Sequence, residues 1–288
     1  MITTILGLAT AISYGFADFF AAIAAKKYKV VFVTSIASMS GLFGLIFAAP
    51  LFGATFSTDA LLWGLGAGLA SVSALIALYA SLAIGPISIV SPLGAVISAI
   101  VPAIIGIVVH GETFSAAGWL AIVAALVAIV LVAFVPGENI ETPSKKGIWL
   151  SILAGTSIGI AISCLAQSPA DSGIASILIM RTTAAVILGS YVLVTLISKG
   201  KKVAVGEDSL RNKMFFVIVG AGLLDASANV LFTLASRSGS LVIVGVLTAL
   251  YPLGTILLAR VILKEKVATI QKIGIALTLL ASVLLAVA

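Results

Sequence analysis

The tetrapeptide Gly-Ala-Gly-Leu stands at residues 66–69 and returns at residues 220–223, each time near the start of a long apolar stretch. A second pair of landmarks follows in the same order, because Gly111-Glu112 has its counterpart in Lys264-Glu265. The two offsets are 154 and 153 residues, so the order and nearly all of the spacing are preserved. Apolar segments can resemble one another by chance, but preserved order and spacing favour a true internal repeat.

The composition around this repeat is that of a membrane protein. Hydrophobic residues make up 61% of the 288 residues and charged residues only 9%, with a mean hydropathy of +1.30. Soluble domains carry about 25% charged residues because their surfaces face water. This deficit argues against a soluble enzyme, a nucleic-acid-binding domain and a disordered regulator. The single cysteine and single histidine argue against a disulfide framework and a metal centre, so no cofactor is predicted.

Ten stretches are long enough to cross a bilayer core, which needs about 20 apolar residues in helical form. They are predicted at 2–25, 30–52, 60–83, 87–109, 115–135, 147–167, 173–197, 213–236, 240–262 and 268–287. The first lacks the basic start of a signal peptide and is interpreted as a span. Five is an odd number of crossings, so the halves would insert with opposite orientations. The predicted fold is an all-α integral membrane protein with ten transmembrane helices in two inverted five-helix repeats, residues 1–137 and 147–288, joined by a cytoplasmic linker at 138–146.

The basic residues indicate how the chain is oriented. The odd-numbered connections between spans receive nearly all of the Lys and Arg residues that lie outside the spans. These residues are Lys26, Lys27, Lys29, Lys145, Lys146, Lys199, Lys201, Lys202, Arg211, Lys213, Lys264 and Lys266. The opposite side receives only Arg237. Because cytoplasmic loops carry the excess of Lys and Arg, we expect a multi-pass protein of the cell (inner) membrane with the odd connections cytoplasmic and both termini outside.

Three stretches resemble the EamA branch of the drug/metabolite transporter superfamily. They are Ser-Tyr-Gly-Phe-Ala-Asp-Phe at 13–19, Gly-Pro-Ile-Ser at 85–88, and Leu-Tyr-Pro at 250–252 running on to Leu-Ala-Arg at 258–260 and Lys264-Glu265. The likeness covers the whole chain and implies a central cavity lined by spans one, three, four, six, eight and nine. Two departures stand out: Ala99 occupies the place of Pro252 in the first half, and Ile84 stands where the second half has Arg237.

Asp18 is the first candidate for a functional side chain inside a span. It lies about 12 Å of helix rise from Lys26, too far for its short side chain to reach the membrane surface. Ionisable residues within spans are expensive and mark functional sites by default. Tyr14 lies one helical turn earlier on the same face, where its hydroxyl could donate to the carboxylate. Asp18 would hold a substrate amine or carry a coupling proton; alternatively, it is a structural acid paired with helix hydroxyls or with Arg181.

Asp225 and Asn229 form a second polar patch, one helical turn apart near the middle of span eight. The acid belongs to one half only, because its counterpart in the repeat is Ser71. Asp225 is expected to line the cavity, with a purely structural contact between helices as the alternative. Arg181 lies about eight residues into span seven and is expected to pair with one of the two aspartates. Binding of a substrate carboxylate is the alternative for Arg181, although span seven is expected to be peripheral.

Helix-bending positions and one aromatic residue complete the candidate site. Tyr251 lies beside Pro252 in span nine and is expected to line the cavity. Pro92 and Pro102 in span four, together with Pro252, are candidate gating bends, because proline frees backbone carbonyls. Glu112 and Glu265 are interpreted as helix-end or gate residues at opposite membrane faces.

The predicted function is secondary transport, because the sequence has no Gly-x-x-x-x-Gly-Lys-Ser/Thr loop with which to use ATP. We expect an exporter of a small, amino-acid-like organic metabolite that works by alternating access. The predicted partners are that substrate, the lipid bilayer and, as a further candidate, protons; the protein would be a monomer or homodimer without nucleic acid. The alternatives are a proton-coupled exporter of lipophilic cationic drugs and, from another class, a non-transporting membrane scaffold or receptor. An enzyme is not predicted, because one histidine at a helix end does not supply catalytic groups.

Overall fold

The computed structural model is helical along nearly all of the chain that it describes. It describes residues 1–84, 87–133, 144–200, 205, 212–252, 254–255, 258, 269–270, 272–274, 276–277, 280 and 284. Over these ranges no strand forms, and extended pairing is limited to an isolated bridge between Ala54 and Gly173. The predicted all-helical class is confirmed.

Nine helices follow one another along this part of the chain, in the order of predicted spans one to nine. They are α1 (Ile2–Ala25), α2 (Val30–Phe52), α3 (Thr58–Ile84), α4 (Ile87–Val108), α5 (Ala116–Ala133), α6 (Lys145–Ala166), α7 (Ala175–Lys199), α8 (Asn212–Ser238) and α9 (Leu241–Thr248). A 3-10 turn, Ala170–Ser172, precedes α7. Six of the helices, namely α1, α2, α3, α6, α7 and α8, are long and apolar enough to cross a membrane. The protein is therefore a multi-pass membrane protein; most of the predicted tenth span lies outside the described residues.

Helix starts and stops follow local chemistry. Four helices begin at a serine whose hydroxyl accepts a hydrogen bond from a backbone N–H of the first turn, the usual way of satisfying an orphan donor there. The caps are Ser57 for α3, Ser115 for α5, Ser144 for α6 and Ser240 for α9. Helices α2 and α7 end at Gly53 and Gly200, whose φ angles are 71° and 81°. Glycine adopts this left-handed backbone without steric cost, which explains the sharp stops.

The two halves of the chain interleave. Helix α1 packs along α8, α3 along α6 and α7, α2 along α7 and α8, and α4 along α6 and α9. Small residues permit the closest crossings: a Cβ added to Gly222 of α8 would meet the carbonyl of Ala37 on α2, and one added to Gly15 of α1 would meet the backbone at Tyr251 and Gly254. Close backbone approach at glycine is typical of helix packing in membranes. This interleaving surrounds the centre of the bundle with helices from both halves.

One end of the bundle holds the N-terminus and the even-numbered connections, residues 53–57, 109–115, 167–174 and 239–240, and is called the even end here. Hydrogen bonds join these connections across the halves. The backbone N–H of Ile174 donates to the carbonyl of Gly53 at 2.9 Å, and that of Thr55 donates to Ser172 at 3.1 Å. The guanidinium of Arg237 donates to the carbonyls of Pro169 and Gly173, each at 3.0 Å. The even end is therefore tied together by backbone and side-chain contacts.

Candidate functional site

A cavity lies midway along the bundle, and side chains from seven of the helices or their ends line it. It has about 60 Å³ of room for water-sized molecules. The six side chains singled out in the sequence as a binding or coupling site all line it. They are Tyr14, Asp18, Arg181, Asp225, Asn229 and Tyr251. The structure thus brings together residues that lie up to 237 positions apart in the sequence.

Arg181 of α7 and Asp225 of α8 form an ion pair in this cavity, through Nη2 and Oδ2. The Arg181 side chain is 2% exposed and that of Asp225 15% exposed. A buried charge is tolerated only when it is paired and hydrogen-bonded. Arg181 therefore pairs with Asp225 and not with Asp18.

Helix α7 lies against the cavity, so the expectation of a peripheral span seven is wrong. Met180 and Arg181 both line the cavity. The reason is the glycine pair on α3: Gly64 contacts α7 at Ile179, and Gly68 contacts it at Thr183. Because glycines let the backbones approach closely, the stretch of α7 between these contacts reaches the centre of the bundle.

Tyr14 and Asn229 connect the two halves beside the ion pair. The Tyr14 hydroxyl donates to Oδ1 of Asn229 at 2.9 Å, and Nδ2 of Asn229 donates to the backbone carbonyl of Asp225 at 2.7 Å. The expected donation from Tyr14 to the Asp18 carboxylate is absent. The phenol carries its hydroxyl across the close α1–α8 contact, where the amide of Asn229 is the acceptor within reach.

Asp18 is the acid of the cavity for which the described residues supply no partner. It is half-buried, and within the described chain its carboxylate makes no hydrogen bond and no ion pair. The other acid in the described lining, Asp225, is held by Arg181. With all three groups ionised, the cavity carries a net charge of −1, located at Asp18. That arrangement suits a cation or a proton at this end of the cavity.

Tyr251 lines the cavity where the regular helix of α9 stops. The N–H groups of Leu250 and Tyr251 bond to carbonyls three residues earlier, at Leu247 and Thr248. This tighter turn immediately precedes Pro252, which lacks an N–H and restricts the residue before it. The bend predicted at Pro252 therefore has a visible local basis, while its role in gating remains a prediction.

The two prolines of α4 do not interrupt that helix, which runs from Ile87 to Val108. Pro102 is buried beside Gly245 of α9. The side chain of Pro92 lies outside the described residues. Gating at these two positions remains a prediction.

Comparison with known proteins now identifies the fold. Residues 145–287 match the EamA-like transporter family, which is part of the drug/metabolite transporter superfamily. The chain belongs to this family. A solved structure, described only as a crystal structure of a protein, superposes with a TM-score of 0.70 over 96% of this chain and 95% of that chain. The two are 14% identical, so this likeness shows a shared fold alone. No curated protein matches the sequence significantly.

As an EamA-like transporter, the protein works on a small-molecule substrate within a lipid bilayer. Its even end holds a contact between the two halves that centres on Glu112. The Glu112 carboxylate, just after α4, accepts hydrogen bonds from the Ser240 hydroxyl at 2.5 Å and from the backbone N–H groups of Leu241 and Val242 at 2.8 and 3.2 Å. An anion is favourable at a helix N-terminus, where orphan N–H groups and the helix dipole meet it. Glu112 therefore closes α4 and caps α9 of the other half; Glu265 lies outside the described residues.

Sequence reasoning missed three hydroxyl-bearing residues of this EamA-like transporter's cavity: Ser71, Ser98 and Thr248. Ser71 carried one usable signal, because it is the counterpart of Asp225 in the repeat. Ser98 donates to the carbonyl of Ala95 at 2.9 Å and is indistinguishable by sequence from any helix serine. Thr248 is buried, and its hydroxyl has no partner within the described part of the chain; no sequence pattern reveals that.

Proposed function

We propose that this protein is a secondary transporter that exports a small, amino-acid-like metabolite by alternating access, with the central cavity as its substrate site. The observation that carries the proposal is the meeting of an ion pair, a free carboxylate and a tyrosine–asparagine hydrogen bond in one cavity midway along membrane helices. Charged groups at that depth are costly and are found where substrates or ions pass. Export as the direction of transport is part of this proposal.

Alternating access is proposed to arise from two inverted five-helix repeats, residues 1–137 and 147–288, with the linker at 138–146. The pattern of helix packing supports this. Exchanging each helix with the one five places later turns the α1–α8 contact into the α6–α3 contact, and the α4–α6 contact into the α9–α1 contact, while the α2–α7 contact maps onto itself. Halves related in this way can exchange conformations, which moves access from one side of a central site to the other.

The orientation is proposed from the basic residues: odd connections in the cytoplasm, and the even end with the N-terminus outside, in the cell (inner) membrane. Exposed lysines on the odd side support it, among them Lys26, Lys145 and Lys199. With that orientation, the ties at the even end close the outer side of the transporter. Impermeant labelling of single cysteines in intact cells, placed at positions 56 and 27, would measure it: position 56 is expected to react and position 27 is not.

The test of transport uses purified protein in liposomes loaded with unlabelled amino acids. Uptake of a radiolabelled amino acid by exchange is expected for the wild type and is expected to be lost in Asp18→Asn. Asp59→Asn is the matched control, because Asp59 is an exposed aspartate at the start of α3. The proposal fails if no amino acid exchanges, or if Asp59→Asn lowers exchange as much as Asp18→Asn does.

The free carboxylate of Asp18 also favours a second candidate function, proton-coupled export of lipophilic cations. A net negative cavity next to Tyr14 and Tyr251 has groups that attract an organic cation. Liposomes containing a pH-sensitive dye separate the two functions. Proton movement driven by tetraphenylphosphonium, with no response to amino acids, supports drug export; exchange of amino acids that tetraphenylphosphonium does not inhibit supports the first function.

A further inference from the structure

Three hydrogen-bond donors of the cavity lining are buried and have no partner within the described chain. They are Nε and Nη1 of Arg181 and the hydroxyl of Thr248. Arg181 is 1% exposed and Thr248 3% exposed. A buried donor left unsatisfied costs about 1–3 kcal/mol, more for a charged group, so native proteins rarely keep one without a reason. The other unpartnered polar groups, such as Ser163 and Ser168, do not line this cavity.

Thr248 differs from three other threonines of the bundle. The hydroxyls of Thr10, Thr182 and Thr233 each donate to the carbonyl one turn earlier in their own helix, at 2.8–2.9 Å. A membrane helix usually satisfies a threonine in this way. The Thr248 hydroxyl makes no such bond, and it faces the same cavity as the free nitrogens of Arg181.

We propose that Arg181 and Thr248 form a carboxylate-binding subsite and that Asp18 holds the ammonium group of the same substrate, a zwitterionic α-amino acid. This inference rests on the proposed function, and it assigns the residues that bind the two charged ends of the substrate. Nη2 of Arg181 is engaged by Asp225, which leaves Nε and Nη1, on opposite sides of the guanidinium, each able to donate a single hydrogen bond to another acceptor. One of these nitrogens together with the Thr248 hydroxyl can serve the two oxygens of a substrate carboxylate, because all of them are buried donors without a partner within the described chain. Asp225 and Asn229 act as positioning residues that hold the guanidinium in place.

The charge of the cavity distinguishes a zwitterionic substrate from a simple amine or a simple carboxylate. A simple amine neutralises Asp18 but leaves the donors of Arg181 and Thr248 unsatisfied. With Asp18 ionised, a simple carboxylate satisfies those donors but brings the cavity from −1 to −2, which is unfavourable where the local dielectric is low. A zwitterion satisfies both ends and leaves the net charge unchanged. Among the described contacts, none joins Asp18 to Arg181, so the two ends are separately available.

The side-chain class follows from the rest of the lining. Apolar groups make up most of the remaining wall, namely Ala74, Leu75, Leu78, Ile158, Ala161, Ile162 and Met180. Apolar walls with a few placed polar groups are the usual form of a small-molecule site. The room for about 60 Å³ of water-sized molecules favours a small substrate. The apolar wall therefore favours a neutral aliphatic amino acid, for which valine is the test substrate.

The experiment measures binding to the purified full chain in nanodiscs by calorimetry. Three probes share one carbon skeleton: valine, isobutylamine, which lacks the carboxylate, and isovalerate, which lacks the ammonium group. The wild type is expected to bind valine most tightly. Thr248→Val, which keeps the shape of the side chain, is expected to weaken valine binding about tenfold without changing isobutylamine binding, since a hydrogen bond to a charged group is worth about that factor. Thr248→Ser keeps the hydroxyl and is expected to bind like the wild type.

Arg181→Lys gives a second arm that keeps the positive charge beside Asp225 but removes Nε and the fork. It is expected to weaken valine binding and to leave isobutylamine binding unchanged. The inference is overturned if both variants weaken valine and isobutylamine equally, or if neither changes valine binding. If the protein binds and transports isobutylamine but not valine, the inference is also overturned. In that case transport through the cavity would still hold. Failure to bind or move any of the three probes or tetraphenylphosphonium removes the proposed function as well.

Discussion

The hydroxyl of Tyr14 on α1 donates a hydrogen bond to the side-chain oxygen of Asn229 on α8, 2.9 Å away, beside the ion pair of the cavity. Tyr14→Phe removes this bond and frees the amide of Asn229, whose nitrogen holds the carbonyl of Asp225. We expect the rate of exchange in liposomes to fall several-fold and the stability to fall by about 1 kcal/mol. Tyr191→Phe is the control, because Tyr191 is 60% exposed on the outer face of α7. Equal exchange by both variants would contradict this prediction.

Neutralising one partner of the Arg181–Asp225 pair is expected to be worse than neutralising both. Arg181→Gln or Asp225→Asn alone leaves a buried charge without its counter-ion, which typically destabilises by about 3–5 kcal/mol. The double variant removes both charges and is expected to regain most of that loss. Thermal unfolding in detergent, followed by circular dichroism, measures the three variants. A double variant less stable than either single one would show that the pair is not a coupled unit.

Asp18→Asn is expected to abolish exchange without lowering the stability of the protein. Because the carboxylate has no partner among the residues that the structure describes, its removal takes away no described contact and relieves the cost of a poorly hydrated charge. The unfolding temperature should stay the same or rise, while exchange is lost. If transport in the wild type carries protons, the substrate-driven pH change should vanish in this variant. A strong loss of stability would instead mean that Asp18 has a structural role.

Glu112→Gln is expected to loosen the even end. The amide cannot replace the charge that favours the first turn of α9, an effect worth about 0.3–1 kcal/mol, and it weakens the bond from Ser240. In a Cys164→Ser background with Val242→Cys, whose wild-type side chain is 1% exposed, the rate of reaction with an impermeant maleimide should rise. Asp171→Asn, an exposed acid in the connection before α7, is the control. Unchanged labelling in Glu112→Gln would remove the idea of a gate there.

Two neighbouring glycines of α8 provide a matched test of helix packing. A Cβ added to Gly222 would meet the backbone of α2 at Ala37, whereas one added to Gly220 would meet no atom within 4 Å. Gly222→Ala is expected to destabilise by about 1–3 kcal/mol, as overpacking does. Gly220→Ala is expected to be neutral or to stabilise by up to about 1 kcal/mol, since alanine favours helix. Thermal unfolding of the two variants side by side measures the difference, and equal values would contradict the close α2–α8 crossing.

The sequence predicted where the helices lie and which charged side chains face the interior of the bundle. Both depend on the free energy of placing a given residue in the bilayer. A membrane helix must be apolar for about 20 residues. A charged residue inside such a helix faces the interior of the bundle and pairs with other polar groups there. The cost of a buried charge predicted that Arg181 pairs with one of the two aspartates, whereas the central cavity that holds Asp18 and Asp225 was an expectation from the family resemblance.

Pairing within the cavity could not be predicted, because it depends on how far each helix slides and turns against its neighbours. Arg181 pairs with Asp225 because the glycines of α3 allow α7 to pack close to the centre of the bundle. Tyr14 reached Asn229 because α1 and α8 pack closely. The free hydroxyl of Thr248 depends on the turn that ends α9. None of these features is a property of a single helix, and a single sequence describes helices one at a time.

The 215 residues between Tyr14 and Asn229 also impose a delay during biosynthesis. Ribosomes add about 5–20 residues per second, so roughly 10–40 s separate the synthesis of α1 from that of the stretch of α8 that receives it. During this interval Asp18 has already been made, while the polar side chains of α7 and α8 that share its cavity have not. Folding in the membrane is thus completed late, and the insertion machinery has to accommodate an early helix with a carboxylate in its apolar length.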